Sequence, residues 1–392
     1  MNRTQKNPNL LRAYAAVDLS RLKANFDALC THLPQGKQVL AVVKAGAYGH
    51  DAAEVAHALK GRAAYFGVAT APEGVHLREE GITEPILVFG RTPLMEARLL
   101  HDYNLTQCVF SFDYANELGL ALNQQNCKAK IHIKIDTGMG RLGFSHDEKD
   151  LVSQILAISR ISAFEIEGIF SHFAKSDLPE DDFTALQAHR FEEALSRLEA
   201  AGLSFTYRHI ANSAASLLGH DDSCNLVRAG ICLYGDFPSD QVQEFWNTAH
   251  PETPILPVMR LCASVAQIRT LKSGEPLGYD CAWRAERDTK IAVVAAGYAD
   301  GVCRAISNRA DAIMRGCRIV GNVCMDMTFV DITDCKKDIS EGDIVTLFGE
   351  DGITASDWAR AAGTIPYEIY CNISARIPRV MLEDGQVTKI IG

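Results

Sequence analysis

The chain has 392 residues, of which 47% are apolar and 22% charged, with a formal net charge of −10. That length exceeds one average domain and suits two, or one large barrel with an appendage. The acidic balance argues against a nucleic-acid partner, and no apolar run approaches the roughly 18 residues of a membrane span. The N-terminal residues, Met1-Asn2-Arg3-Thr4-Gln5-Lys6-Asn7-Pro8, lack the apolar stretch of a secretory signal, so a cytoplasmic enzyme is expected. The 12 cysteines include no C-x-x-C pair, and all 12 histidines stand at or before His250. Neither pattern offers metal-ligand spacing, and no metal is expected.

In chain order, residues 14–17 read as a strand and 18–32 as a helix, either an extra barrel strand or part of a second domain. Short apolar runs then follow at 39–43, 64–68, 85–89, 106–110, 130–135, 165–170, 206–210 and 226–232. Segments with helical spacing separate them, near 51–60, 72–80, 93–101, 114–123, 147–159, 182–201 and 213–219. Continuous apolar strands alternating with helices mean a parallel sheet covered on both faces. Eight such units predict an α/β fold, a closed (β/α)8 TIM barrel; an open doubly wound sheet is the runner-up. Pro251, Pro254 and Pro257 mark a linker. Beyond it, β-type runs dominate at 258–271, 290–296, 318–323, 327–332 and 343–348, with one helix at 355–362 capped by Thr354. The expected division is a barrel at 1–245 and a C-terminal, mostly antiparallel β-domain at 246–392.

Reactive groups of such a barrel come from the C-terminal ends of its strands. Lys44 ends the first run; half-desolvated, it would be a nucleophile with a lowered pKa, or else a lysine reaching the rim. After the fifth run, Gly138, Gly140 and Gly143 spell G-x-G-x-x-G. Helical spacing starts only near Asp147, so the glycines read as a loop carrying Arg141 over the mouth rather than a dinucleotide turn. Lys134 points inward, where a charged lysine needs an anionic partner or a chemical modification. Near the last two strands, Ser213 opens a helix and Gly230 permits close backbone approach. They read as a cap and a turn, or as a phosphate site. A phosphate opposite a strand-end lysine points to pyridoxal 5′-phosphate (PLP) bound as a Schiff base.

These residues carry a resemblance. The chain resembles the bacterial alanine racemases over nearly its whole length. Val42-Val43-Lys44-Ala45-Gly46-Ala47-Tyr48-Gly49-His50 is similar to the family's PLP-lysine motif, and Lys134-Ile135-Asp136-Thr137-Gly138-Met139-Gly140-Arg141 to its second motif. The resemblance implies Lys44 and Tyr279 as the two catalytic bases. It implies Tyr48, His172, Asn212, Ser213, Arg228, Gly230, Ile231 and Tyr367 as cofactor-holding residues, with Arg228 meeting the pyridine nitrogen. Arg141, Met325 and Tyr298 would contact substrate, and Lys134 is the position often carbamylated. It further implies a homodimer with shared active sites, making D-alanine for cell-wall peptidoglycan. Two positions depart from the family: Gly46 stands where Asn is usual, and Asn322 where an Arg usually lines the substrate corridor.

Racemisation removes the Cα proton from one face and returns it on the other. One base per face suits Lys44 and Tyr279, each tuned down from a pKa near 10. Arg228, always charged, cannot accept a proton, which would limit side reactions such as transamination. A serine-preferring or broad amino-acid racemase, a PLP decarboxylase, and a non-catalytic PLP carrier are the alternatives. The carrier lacks a β-domain, and the decarboxylase would present an acid and a cysteine where Tyr279 stands.

Overall fold

The computed structural model describes residues 8, 11–178, 180–220, 223–350 and 352–392. The first strand, β1 (Ala13–Asp18), leads through a helix at Leu19–His32 into the barrel. Its strands are β2 (Gln38–Val42), β3 (Tyr65–Val68), β4 (Ile86–Val88), β5 (Thr106–Val109) and β6 (Ala129–Asp136), the short β7 (Phe144–Ser145) beside β6, then β8 (Phe164–Phe170), β9 (Tyr207–His209) and β10 (Leu226–Ala229). They pair in parallel in the order β10-β2-β3-β4-β5-β6-β8-β9. The two edges are joined where Asn225 N–H donates to the Arg208 carbonyl and Arg228 N–H to that of Ala211, each at 3.1 Å. All eight expected barrel strands are present. β3, β4, β5 and β10 are buried at every residue, which is why they read as unbroken apolar runs.

The C-terminal half contributes β11 (Met259–Leu271), β12 (Pro276–Leu277), β13 (Trp283–Arg284), β14 (Thr289–Val294), β15 (Thr328–Asp331), β16 (Ile344–Phe348), β17 (Arg379–Glu383) and β18 (Gln386–Ile391). The main sheet runs β15-β14-β11-β1-β17-β18, with β16 also on β11. Its pairs are antiparallel except β1 with β17. The strand at 14–17 thus lies in the second domain's sheet, although it falls inside the range 1–245 expected for the barrel. Pairing, not chain order, decides its place.

The run at 318–323 is not a strand. It makes only the isolated bridges Asp311↔Arg318 and Ile319↔Val330. Gly321, at φ +72°, turns the chain while its N–H donates to Asn308 Oδ1 at 2.7 Å. The helix Ala355–Ala362 forms as expected, closed by a capping box between Thr354 and Asp357. Among the described residues, no helix is long and apolar enough to cross a membrane.

Candidate active site

Lys44 stands two residues past β2, at the head of an unusual turn. Ala45, Gly46, Ala47 and Tyr48 follow with φ of +54°, +61°, +54° and +53°. Each non-glycine residue in that region costs about 1–2 kcal/mol, so the turn must be held. Ala47 N–H bonds to Val43 O (2.8 Å), Gly49 N–H to Ala45 O (3.0 Å) and Asp51 N–H to Gly46 O (2.9 Å). Ala45 N–H reaches the Glu73 carboxylate at 2.7 Å. Glycine and asparagine both tolerate positive φ, so Gly46 meets the same backbone demand as the family's usual Asn. Burial pulls the Lys44 ammonium below its ordinary pKa; Arg141 and Arg228 add to this, while Cys371 and Glu73 oppose it.

The loops after β9 and β10 meet this turn. A Cβ on residue 230 would lie 2.8 Å from the Tyr48 hydroxyl, so any side chain there would push Tyr48 out of place. Gly230 N–H donates to Ser213 Oγ at 2.9 Å. Asn212 caps the short helix Ser213–Leu217, accepting from Ala215 N–H at 3.1 Å, and accepts from Ser176 Oγ at 2.8 Å. Ile231 is fully buried, and the Tyr367 ring packs 5.8 Å from that of Tyr48. Burial raises the pKa of both phenols, so both remain protonated at neutral pH.

Arg228 is buried on β10. Its Nη2 donates to the carbonyls of Ser171 and Ile210, both at 2.9 Å, and to His172 Nδ1 at 2.8 Å; Nη1 donates to His209 Nδ1 at 2.8 Å. Burial, with Arg228 adding to it, holds both histidines well below the ordinary imidazole pKa, so both are neutral. Lys134 is buried as expected. In place of an anionic partner it has the Phe170 ring, 4.9 Å from its Nζ, and the Ile135 carbonyl at 3.4 Å. Burial, then Arg228, lowers its pKa to about 7. Arg141 is exposed at the same mouth.

Tyr279, Tyr298 and Met325 lie elsewhere, on the C-terminal domain. They are 68%, 44% and 53% exposed. Tyr298 and Ala299 N–H donate to Cys324 O and Met325 O, each at 3.0 Å. Asn322 Nδ2 lies 3.2 Å from Tyr279 O and from Asp280 Oδ2, bracing the turn that presents Tyr279. Sequence reading overlooked Glu73 and His209. For Glu73 a signal existed, since Thr70-x-x-Glu73 is a capping-box pattern.

Comparisons with known proteins agree along nearly the whole chain. The family model for the alanine racemase N-terminal domain matches residues 17–238, and that for the C-terminal domain 258–381. Alanine racemase 2 of Caldanaerobacter subterraneus subsp. tengcongensis is 39% identical over 378 residues, covering 95% of each chain. The alanine racemase structure of Clostridium difficile superposes with a TM-score of 0.89 at 35% identity, covering 97% of this chain and 98% of that one. That of Bartonella henselae, solved with covalently bound pyridoxal phosphate, does so at 0.82 and 29%, covering 95% of this chain and 100% of that one. Motifs, barrel, second domain and relatives converge: the chain belongs to the alanine racemase family, the enzymes that interconvert L- and D-alanine.

Proposed function

We propose that the chain racemises alanine with PLP held at the barrel mouth, and that two copies of the chain complete each active site. The observation that carries this reading is the meeting of a desolvated Lys44, a buried Arg228 and the Tyr48–Ser213–Gly230 cradle at one end of the barrel. The donor set fits the cofactor. Two hydroxyls beside a residue without a Cβ suit a phosphate, and a donor-only guanidinium suits a ring nitrogen's lone pair. When bound, PLP supplies the electron sink that makes an amino acid's Cα proton removable.

Lys44 binds the cofactor covalently and moves a proton at Cα on one face, aided by its lowered proton affinity. Ser213 and Tyr48 hold the phosphate end, Asn212 fixes Ser213, and Ile231 and Tyr367 wall the cradle. His172 holds Arg228 at the ring end, and Arg141 orients the substrate carboxylate. A carbamylated Lys134 would turn a buried cation into an anion able to pair with Arg141. Tyr279 moves the proton on the opposite face, with Tyr298 and Met325 beside it. Their exposure supports the shared site: isologous pairing of two chains lays this patch over the partner's barrel mouth. The D-alanine formed, in this reading, serves peptidoglycan synthesis in the cytoplasm.

One observation favours a second reading, a broader racemase: at 322 the corridor carries an uncharged Asn whose amide faces Tyr279 O and Asp280. Incubation with L-alanine and PLP, with the enantiomers resolved, tests the main reading. D-alanine is expected from the natural sequence and not from Lys44→Ala. Borohydride reduction of the PLP-loaded protein is expected to label Lys44, and label on another lysine would overturn its assignment.

A further inference from the structure

The left-handed turn after Lys44 ends inside the protein. Five successive residues, Ala45 to Gly49, have φ between +53° and +78°, and Tyr48 is buried. A helical turn leaves its last carbonyls without partners of its own, and buried carbonyls need donors. The side chain of His50 meets this need. Its Nδ1 lies 3.0 Å from Ala47 O and 3.0 Å from Tyr48 O. Ala47 O also accepts from the His50 backbone N–H, at 3.1 Å. The next carbonyl, Gly49 O, accepts from Arg379 Nε at 2.8 Å.

The imidazole is fixed both in place and in proton order. It is fully buried and packs against the rings of Tyr234 and Tyr370, 4.7 and 5.1 Å away. Tyr234 also packs 4.8 Å from the Tyr48 ring, and its hydroxyl donates to Val42 O, at the end of β2, at 2.7 Å. Burial, with Arg379 adding to it, lowers the His50 pKa to about 4 against the pull of the two carbonyls, so the ring is neutral at pH 7. A neutral imidazole carries one proton and a carbonyl only accepts, so the proton sits on Nδ1. Among the described residues the buried Nε2 has no hydrogen-bond partner, and the ring acts through Nδ1.

We propose that His50 is a positioning residue for the cofactor cradle. Its Nδ1–H caps the left-handed turn and so fixes Tyr48, whose hydroxyl faces Gly230, and Lys44 at the head of the turn. Without that donor two buried carbonyls each lose a hydrogen bond. The turn then gains by relaxing toward ordinary φ, which carries the Tyr48 hydroxyl away from Gly230. The functional half of this inference rests on PLP occupying the cradle; the cap does not.

The test compares the natural sequence with three variants. His50→Asn keeps an N–H at the δ position, His50→Gln moves it one bond outward, and His50→Leu removes it. PLP affinity is read by titration of the full-length protein, kcat and KM at saturating PLP, and stability by the urea midpoint. His50→Leu and His50→Gln are expected to bind PLP about tenfold or more weakly and to lose kcat about tenfold, with KM for alanine within about threefold. His50→Asn is expected within about threefold of the natural protein in all three. Nitrogen chemical shifts of labelled histidines, recorded before and after PLP loading, are expected to show His50 neutral with its proton on Nδ1. A proton on Nε2 would overturn the proposal. So would a folded His50→Leu or His50→Gln with natural PLP affinity and kcat and only a lower urea midpoint, because a merely structural ring would affect stability alone. Equal losses in His50→Asn and His50→Leu would overturn it as well. If the natural protein took up no PLP, the proposed function would fail while the tautomer still read the cap.

Discussion

The carboxylate of Glu73 accepts from the backbone N–H of Ala45, the residue after Lys44, at 2.7 Å. Its other oxygen accepts from Ala69 N–H (2.7 Å) and Thr70 N–H (3.2 Å), closing the capping box of the helix Ala71–Glu79. One side chain thus ties the left-handed turn of the reactive lysine to the next strand–helix unit. Replacing Glu73 or Thr70 by Ala is expected to cost about 1 kcal/mol each through the lost cap. Only Glu73→Ala also frees Ala45, so it alone is expected to weaken PLP binding and to lower kcat by about tenfold. Equal activity in the two variants would reduce Glu73 to a helix cap.

Lys134 makes stability depend on pH. Its pKa falls on folding from 10.5 to about 7. Between those values the unfolded chain holds a proton that the folded chain lacks, so stability rises with pH across that window. Below it both states are protonated and the full burial penalty applies. Lys134→Met is expected to flatten this rise in the urea midpoint between pH 7 and 9. Carbon dioxide adds to a neutral amine, so bicarbonate is expected to raise the midpoint of the natural protein but not of Lys134→Met. A rise in both would place the carbamate elsewhere.

Tyr367 packs on Tyr48 beside the cradle, and in the proposed site it would crowd a substrate's β-carbon. Tyr367→Asn is expected to raise kcat/KM for serine relative to alanine. An unchanged ratio would remove Tyr367 from substrate selection.

Lys44→Ala and Tyr279→Phe are each expected to be nearly inactive. Denatured, mixed and refolded together, they should form about half heterodimers, each with one intact site of two, returning roughly a quarter of full activity. Absence of any recovery, with dimers confirmed, would mean that both residues serve a site within one chain.

The barrel was legible because strands buried on both faces leave apolar runs that no solvent-facing alternation blurs; 85–89 and 226–232 are cases. The helices Asp240–Ala249 and Pro366–Cys371, and strands β17 and β18, went unread. The first two stand beside Pro251 and start at Pro366, where proline reads as punctuation as readily as a helix start. Spacing along the chain could mark Lys44 and Tyr279 separately. Strand order put Lys44 at a barrel mouth and Tyr279 in the second domain, but it could not tell that Tyr279 would stand 68% exposed. The barrel interior did leave a trace: His132 and Lys134 stand two apart in an apolar strand, hence on one face.

Strand β1 is made well before β17, with the whole barrel between them, yet they lie side by side from Ala15↔Arg379 to Asp18↔Leu382. A ribosome must release every element between them before β1 has that neighbour. The barrel has all its strands once Ala229 has emerged. Synthesis therefore sets a sequence of events: a closed barrel first, carrying an unpaired apolar edge at its N-terminal side. The long-range sheet comes last and slowest. During that wait the nascent chain is most exposed to pairing with the wrong strand.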